Sequence, residues 1–584
     1  MTSPGEAIGE PGGGPRAAAA PAGRPVTPSR PAAPAGQARA AMQASGPDYD
    51  PGPFWMRAAP PVAALAAVLA GIGSPSLWRD EAATLAAVHR PFGALLRMLG
   101  HVDAVHGLYY SLMWVVTRLA GTGEIAVRLP SALAIALAAA ATAALGRRLV
   151  SPGTGLAAGL LVPVFPQVDY LGQDARSYAL VLACAAVASY LLVRALAAAR
   201  GRPRRAWLAG YGASLALLGA LNVFALLLIP AHAVTLAVGA RRGGDRADRR
   251  SLVLGWLAAA CGALLVLSPL LLFAWRERHQ ISWLASNKQS PSTVLQLLGT
   301  QSQLIALVVV IAAGAWFSTL AGQRWLGNRR PALAAAGTRV GAGWRSGSGR
   351  DVAAARAAGP AAVHGGRQAT SSAGTAAGDG SLAARLPILL PALCLPWLIL
   401  PAAILLLASQ VTLLYTFRYV GFSFPAVALI GGAALAAIGR VAGPAALAVL
   451  ALLGLGTQLG LRAPAGHLDN IRQADRIVAA HRQPGDAVLY TNVNAQSFGA
   501  AYPYGLGQLR DVEVRTGAIQ SGTLAGTNVS PAALAGRLGQ VSRLWVVDIN
   551  RRLPAPATVQ AAGLQLVAQW RTSDIWLQLY APAR

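Results

Sequence analysis

The chain has 584 residues, 54% of them hydrophobic and only 12% charged, with a formal net charge of +27. A soluble protein of this length would divide into several polar-surfaced domains, and this composition excludes that in favour of an all-α polytopic membrane protein. The charge does not indicate nucleic acid, because no basic stripe is interleaved with stacking aromatics; basic residues fall in the head, in short loops and in one polar insert, as in cytoplasmic loops.

In chain order, residues 1–57 carry Pro, Gly, Ala and Arg without periodicity and read as a disordered cytoplasmic tail. The first apolar segment comes late and has no clear cleavage site, which excludes a secretory signal. Apolar segments then recur at 58–73, 126–146, 153–168, 177–198, 206–220, 222–239, 252–275, 302–320, 386–408, 420–438 and 443–461. That is about eleven crossings, several of them shorter than the roughly 20 residues a helix needs to span hydrocarbon. Cys184, Cys261 and Cys394 all lie within apolar segments and imply no disulfide framework.

Segment 107–121, with Tyr109, Tyr110, Trp114 and Arg118, is amphipathic and suits the interface as well as a crossing. Charge decides the threading. If this segment does not cross, then Arg147 and Arg148, the basic runs 194–205 and 241–250, the insert 322–385 and Arg440 all fall on the side of the N-terminus. The outer face then receives the loop with Asp80 and Glu81, the turn 169–178, the loop 276–300 and the turn at Arg418. Insert 322–385 reads as a flexible cytoplasmic loop. Beyond residue 462, an amphipathic helix over 467–482 and strands at 487–491, 544–548 and 575–580 predict a small extracytoplasmic α/β domain, 462–584, after a membrane domain, 58–461.

Ionisable groups at the membrane boundary are costly unless they pair or bind, so the converging outer loops form a candidate site. Asp80 can deprotonate an acceptor hydroxyl or hold a divalent cation against a phosphate, with Glu81 orienting it or sharing that role; solvation of the helix exit is the bland alternative. Arg128, Arg176 and Arg418 lie at outer helix ends, against the positive-inside bias, and suit an anionic head group, with snorkelling to lipid phosphates as the alternative. Lys288 is the single lysine of the chain and a weaker phosphate ligand. His101, Asp103 and His106 precede Tyr109 and Tyr110 in the same loop and point to a metal or to sugar hydroxyls, though solvated or capping roles are commoner for such residues. Asp174, opening the run to Tyr178, reads either as a substrate contact or as the N-cap of the following helix.

The ordered set Leu77 to Glu81, His106 to Tyr110, Val127 to Ser131, Gln173 to Tyr178, then Arg418 and Tyr419 resembles the GT-C glycosyltransferases. The likeness is to family 39 in particular, which holds the protein O-mannosyltransferases and lipid A aminoarabinose transferases. It covers roughly 58–461. The resemblance implies inverting transfer of a sugar, with mannose as the analogy, from a polyprenyl-phosphate donor to an acceptor at the outer face of the cell membrane. Asp80 is then the base, Arg128, Arg176, Arg418 and Lys288 attend the donor phosphate, and His106, Tyr109, Tyr110, Asp174, Tyr178 and Tyr419 line the substrate. The resemblance implies no certain cofactor, and a divalent cation stays open. The family pattern has two prolines before Leu-Tyr-Tyr where this chain has Val105, His106 and Gly107, so sugar or acceptor contacts differ there. A transporter or lipid flippase is the rival reading, but the polar clusters sit at one face and no internal repeat is evident. A sensor with an outer domain is weaker still.

Overall fold

The computed structural model describes residues 52–241, 245–277, 300–319, 386–411, 415–549 and 556–582. Lys288, the insert 322–385 and the head up to residue 51 lie outside them.

Helices occupy every segment expected from the apolar pattern. In chain order they are α1 (Phe54–Leu69), α2 (Arg79–Val88), α3 (Phe92–Leu99), α4 (Gly107–Ala120), α5 (Glu124–Leu149), α6 (Pro152–Leu161), α7 (Pro166–Gly172), α8 (Tyr178–Ala197) and α9 (Arg202–Leu221). They continue as α10 (Val223–Arg241), α11 (Arg246–Arg276), α12 (Gln301–Thr319), α13 (Leu389–Ala408), α14 (Phe417–Ala437), α15 (Ala442–Leu461) and α16 (Ile471–His481). Among the described residues eight are long and apolar enough to cross a membrane: α5, α8 and α10 to α15. Phe54–Leu69 and Pro152–Val164 are apolar but shorter, and α9 has 20 residues with a basic first turn. Segment 107–121 forms the 14-residue α4, too short to cross.

Local chemistry sets several boundaries. Ser151 caps α6 by accepting the Thr154 amide, with Pro152 at the first helical position, and Asp245 caps α11 through the Asp248 amide. Small residues let helices approach closely in lipid. Gly432 of α14 lies against the backbone of Ala158 in α6, and a Cβ at Gly155 would strike Arg147 and the Ala143 carbonyl of α5.

Contacts align the helix ends. The start of α8 meets the end of α9, where Ser177 Oγ donates to the Leu221 carbonyl, 3.1 Å. Glu277, at the end of α11, accepts the Ala104 amide at 3.2 Å, and Tyr419 of α14 stacks on Phe224 of α10, 4.6 Å between centroids. The starts of α8 and α14 meet α2, through the Ala175 amide on Glu81 and the Arg418–Asp80 pair. The arginines at 147, 148, 194, 202, 204, 205, 246, 249, 250 and 440 occupy the other ends of the same helices.

The C-terminal part builds a five-stranded sheet of order β2-β1-β5-β7-β6, from β1 (Ala487–Tyr490), β2 (Arg510–Asp511), β5 (Leu544–Ile549), β6 (Leu564–Thr572) and β7 (Ile575–Pro582), plus a ribbon of β3 (Val514–Thr516) with β4 (Thr527–Asn528). β1 runs parallel to β2 and β5, whereas β7 is antiparallel to β5 and β6. The central β5 is buried on both faces, as its apolar run Leu544 to Val547 requires, and Asp548 is buried with it, accepting Thr491 Oγ1 at 2.6 Å. Tyr502 anchors this unit to the first loop: its hydroxyl accepts the Leu77 amide (2.9 Å) and donates to Glu124 (2.7 Å). Arg472 adds an ion pair to Glu124 at 2.8 Å.

Candidate active site

The site is built around the start of α2. Successive helical residues project about 100° apart, so the adjacent acids enter different surroundings. Glu81 is fully buried. Its Oε1 accepts Arg128 Nε and the Ala175 amide, both at 2.8 Å, and its Oε2 accepts Arg128 Nη2 at 2.6 Å and the Trp78 amide at 3.2 Å. Arg128 is equally buried and donates its remaining hydrogens to the carbonyls of Ile72 (2.8 Å), Pro75 (3.0 Å) and Ser76 (3.1 Å).

Two expectations change as a result. All five guanidinium hydrogens of Arg128 are engaged inside the protein, which leaves none for a donor phosphate. Each oxygen of Glu81 already accepts two bonds, so Glu81 cannot share proton transfer with Asp80. The pair holds the first loop against the bundle, and breaking such a buried pair is strongly destabilising.

Asp80 behaves differently. Its side chain is 30% exposed and its Oδ2 accepts Arg418 Nη1 at 2.7 Å. The Arg418 guanidinium lies over the Trp78 ring, 4.8 Å from its centroid, and near that of Phe417, 5.9 Å. Trp78 is held in turn by Asp174, whose Oδ1 accepts the indole Nε1–H at 3.0 Å. Asp174 therefore does not cap α8; it fixes the aromatic platform beneath Arg418. Its Oδ2 is buried without a partner. Burial, reinforced by the charge of Glu81, pushes its carboxyl up to about 7.

Arg176 lies within electrostatic reach of Asp80, Asp174, Tyr110 and Tyr178. Its Nη2 donates to His106 Nε2 at 3.2 Å. Burial and that guanidinium hold the imidazole down to about 3, so it is neutral and carries its proton on Nδ1. Tyr110 donates its hydroxyl to Asp103 at 3.1 Å, and Asp103 adopts a left-handed backbone with φ 59°. Burial raises the Asp103 carboxyl despite the nearby Arg176. Tyr109 is buried with an unpartnered hydroxyl. Tyr178 and Tyr419 lie within reach of Arg418.

The structure thus gathers Asp80, Arg418, Arg176, His106, Tyr110, Asp174, Tyr178 and Tyr419 at one end of the bundle. His101 stands apart, its Nδ1 on the Arg97 carbonyl at 2.8 Å. Among the described residues no three His, Cys, Asp or Glu side chains gather as metal ligands. Two participants carried no assigned role in the sequence reading. Trp78 was visible within the Trp-Arg-Asp-Glu run; Asp469, which grips Arg79, gave no local signal.

A family profile described as dolichyl-phosphate-mannose-protein mannosyltransferase matches residues 108–273. No curated protein matches the chain. Among solved structures, ArnT from Cupriavidus metallidurans in the apo state is similar, with a TM-score of 0.50 at 12% identity over 89% of this chain and 96% of that one. The same protein bound to undecaprenyl phosphate gives 0.49 at 13% identity over the same shares. The archaeal oligosaccharyltransferase AglB from Archaeoglobus fulgidus, in complex with an inhibitory peptide and a dolichol-phosphate, gives 0.44 at 9%, covering 85% of this chain and 69% of that one. The apo ArnT likeness establishes the fold. The family profile covers less than a third of the chain. The matched segment includes Arg128 and Arg176 but neither Asp80 nor Arg418, whose roles rest on geometry.

Proposed function

We propose that this protein transfers a sugar, mannose in the first instance, from a polyprenyl-phosphate donor to an acceptor hydroxyl at the extracytoplasmic face, with inversion and with Asp80 as the general base. The observation that carries this reading is the pairing of a partly exposed acid, Asp80, with a guanidinium, Arg418, on an aromatic platform at the α2 end of the bundle. The family description, which names a dolichyl-phosphate-mannose donor, supports the donor class.

In this mechanism the acceptor oxygen bonds to the anomeric carbon on the face opposite the phosphate and passes its proton to the Asp80 carboxylate. The bond between that carbon and the phosphate oxygen breaks, and its electron pair leaves with the lipid phosphate. Arg418 and Arg176 stabilise the developing charge, a contribution that grows along the reaction coordinate. Arg418 bonds Asp80 through Nη1, which leaves its other edge for the phosphate. His106, Tyr178 and Tyr419 line the sugar.

The bundle sits in the cell membrane with the arginine-rich ends cytoplasmic and the C-terminal sheet, residues 462–584, outside. Cysteines introduced at the exposed positions Tyr504 and Asp245 are then labelled from opposite sides. The deciding experiment supplies polyprenyl-phosphate-[³H]mannose to the protein in proteoliposomes and follows release of the lipid phosphate. Asp80→Asn should lower turnover by about 10²–10⁴ while the protein stays folded. Unchanged turnover removes Asp80 from the mechanism, and intact donor carried across the bilayer without cleavage favours a transporter.

A further inference from the structure

Asp469 lies between α15 and α16, outside every sequence motif, yet it is fully buried against the neighbour of Asp80. Its Oδ2 accepts both the Arg79 backbone amide (3.0 Å) and Nε (2.9 Å), and its Oδ1 accepts Nη2 at 2.7 Å. Arg79 is the first residue of α2, and the Trp78 side chain does not cap it. A helix start leaves its first amides unsatisfied unless a partner is brought to them. Here one partner is Asp469, 390 residues away in sequence, and Asp80 is the next residue along the helix.

The segment that delivers Asp469 is itself over-determined. Leu468 and Ser573 both have left-handed backbones, φ 79° and 52°, unusual for residues other than glycine. Ser573 Oγ donates to the Leu468 carbonyl at 2.6 Å, Asp469 and Ser573 form an antiparallel bridge, and Thr572 Oγ1 donates to the Asn470 carbonyl at 3.3 Å. Such strain persists only where the surroundings impose it, and it clusters at functional sites. The His467 ring packs on Tyr170 at 4.7 Å, and Tyr170 lies 6.5 Å from the Trp78 ring that supports Arg418. The turn between β6 and β7 thus reaches Asp80 through Arg79, and Arg418 through the aromatic platform.

We propose that Asp469 is a positioning residue: acting through Arg79, it fixes the start of α2 and thereby the direction in which Asp80 presents its carboxylate. The C-terminal sheet is then a working part of the site. This rests on the reading of Asp80 as the base, because a base must be held to within a fraction of an ångström of its productive geometry.

The test uses the full chain in proteoliposomes with polyprenyl-phosphate-[³H]mannose. Asp469→Ala should lower kcat per folded protein about 10- to 100-fold with little change in KM, and Asp469→Asn, which keeps one acceptor for the Arg79 amide, should lose less. Native kcat in folded Asp469→Ala overturns the proposal, as does a lower yield of folded protein whose specific activity is intact. A second measurement does not need the donor. With Cys184, Cys261 and Cys394 replaced by serine, the thiol of an Asp80→Cys variant is titrated with a charged methanethiosulfonate reagent. Adding Asp469→Ala, or Asp469→Asn where the alanine variant does not fold, should raise the modification rate about fivefold or more as the helix start loosens. An unchanged rate overturns the positioning role. If the native protein does not use the donor, or Asp80→Asn keeps native turnover, the proposed function fails while the thiol rate still decides the role of Asp469.

Discussion

Replacing Arg128 by glutamine separates a structural arginine from a substrate-binding one. The guanidinium bonds Glu81 at 2.6 and 2.8 Å and gives hydrogens to three carbonyls, those of Ile72, Pro75 and Ser76, with both charged side chains fully buried. Removing one partner of such a pair costs about 3–5 kcal/mol. Glutamine offers two donors in place of five, so at least one of those carbonyls is also left unsatisfied, at about 1–3 kcal/mol. The sum is comparable with the roughly 5–15 kcal/mol that holds a typical fold together. Arg128→Gln should therefore give little monodisperse protein in detergent, or lower the apparent melting temperature by on the order of 10 °C, read by tryptophan fluorescence. Adding Glu81→Gln should cost less than the two single changes summed, since it removes the charge left unpaired. A folded Arg128→Gln variant with native melting but weakened retention of the donor lipid would refute this account and return Arg128 to the phosphate.

Asp174 and His106 give two pH tests. Folded Asp174 keeps its proton up to about pH 7, whereas an unfolded aspartate releases it near 3.9. Its contribution to stability is therefore full below about pH 4, is lost as pH rises to about 7, and is constant beyond. Asp174→Asn keeps an oxygen for the Trp78 indole and avoids the buried charge, so at pH 8 it should melt higher than the native protein, by the equivalent of a few kcal/mol, with the difference closing near pH 4. For His106 the sign is opposite: with the folded imidazole held down to about 3, its contribution is full above about pH 6.5 and lost as pH falls. His106→Gln should lose less stability than the native protein between pH 7 and pH 5 in the same thermal scan, and the pH–rate profile of turnover above pH 5.5 should not move.

The apolar helices were legible because apolar length is a local, additive signal. Helices appear at every expected segment. Roles within the polar clusters were less legible, for a geometric reason. Asp80 and Glu81 are chemically alike in the sequence, and a one-residue step on a helix turns a side chain by about 100°. Which of them faces the cleft depends on the rotation of α2, and an amphipathic pattern would fix that rotation. Yet α2 is short, with buried positions on both sides of Asp80, at Trp78 and Glu81. The Ala-rich α5 is apolar on its exposed face, Ile125, Leu129, Leu133 and Leu137, as well as on its buried one, and has no polar stripe to set its phase, so Arg128 could be placed at a helix end but not aimed.

The pairing of Arg79 with Asp469 was illegible for another reason: it spans 390 residues, and no periodicity joins them. Only the fold, which returns the chain after α15 to the end of the bundle where α2 begins, brings the two together. The same argument explains why Arg418 was picked out without its partner. A guanidinium at an outer helix end signals an anion, and in the sequence that anion could be a lipid phosphate, a substrate or an acid elsewhere in the chain. The structure answers with Asp80, and that answer changes the chemistry expected of the pair. An acid already bonded to a guanidinium becomes an effective base only when the guanidinium is drawn toward a second anion. On the proposed function, donor binding and activation of Asp80 are one event, and turnover should depend on Arg418 more steeply than donor binding does.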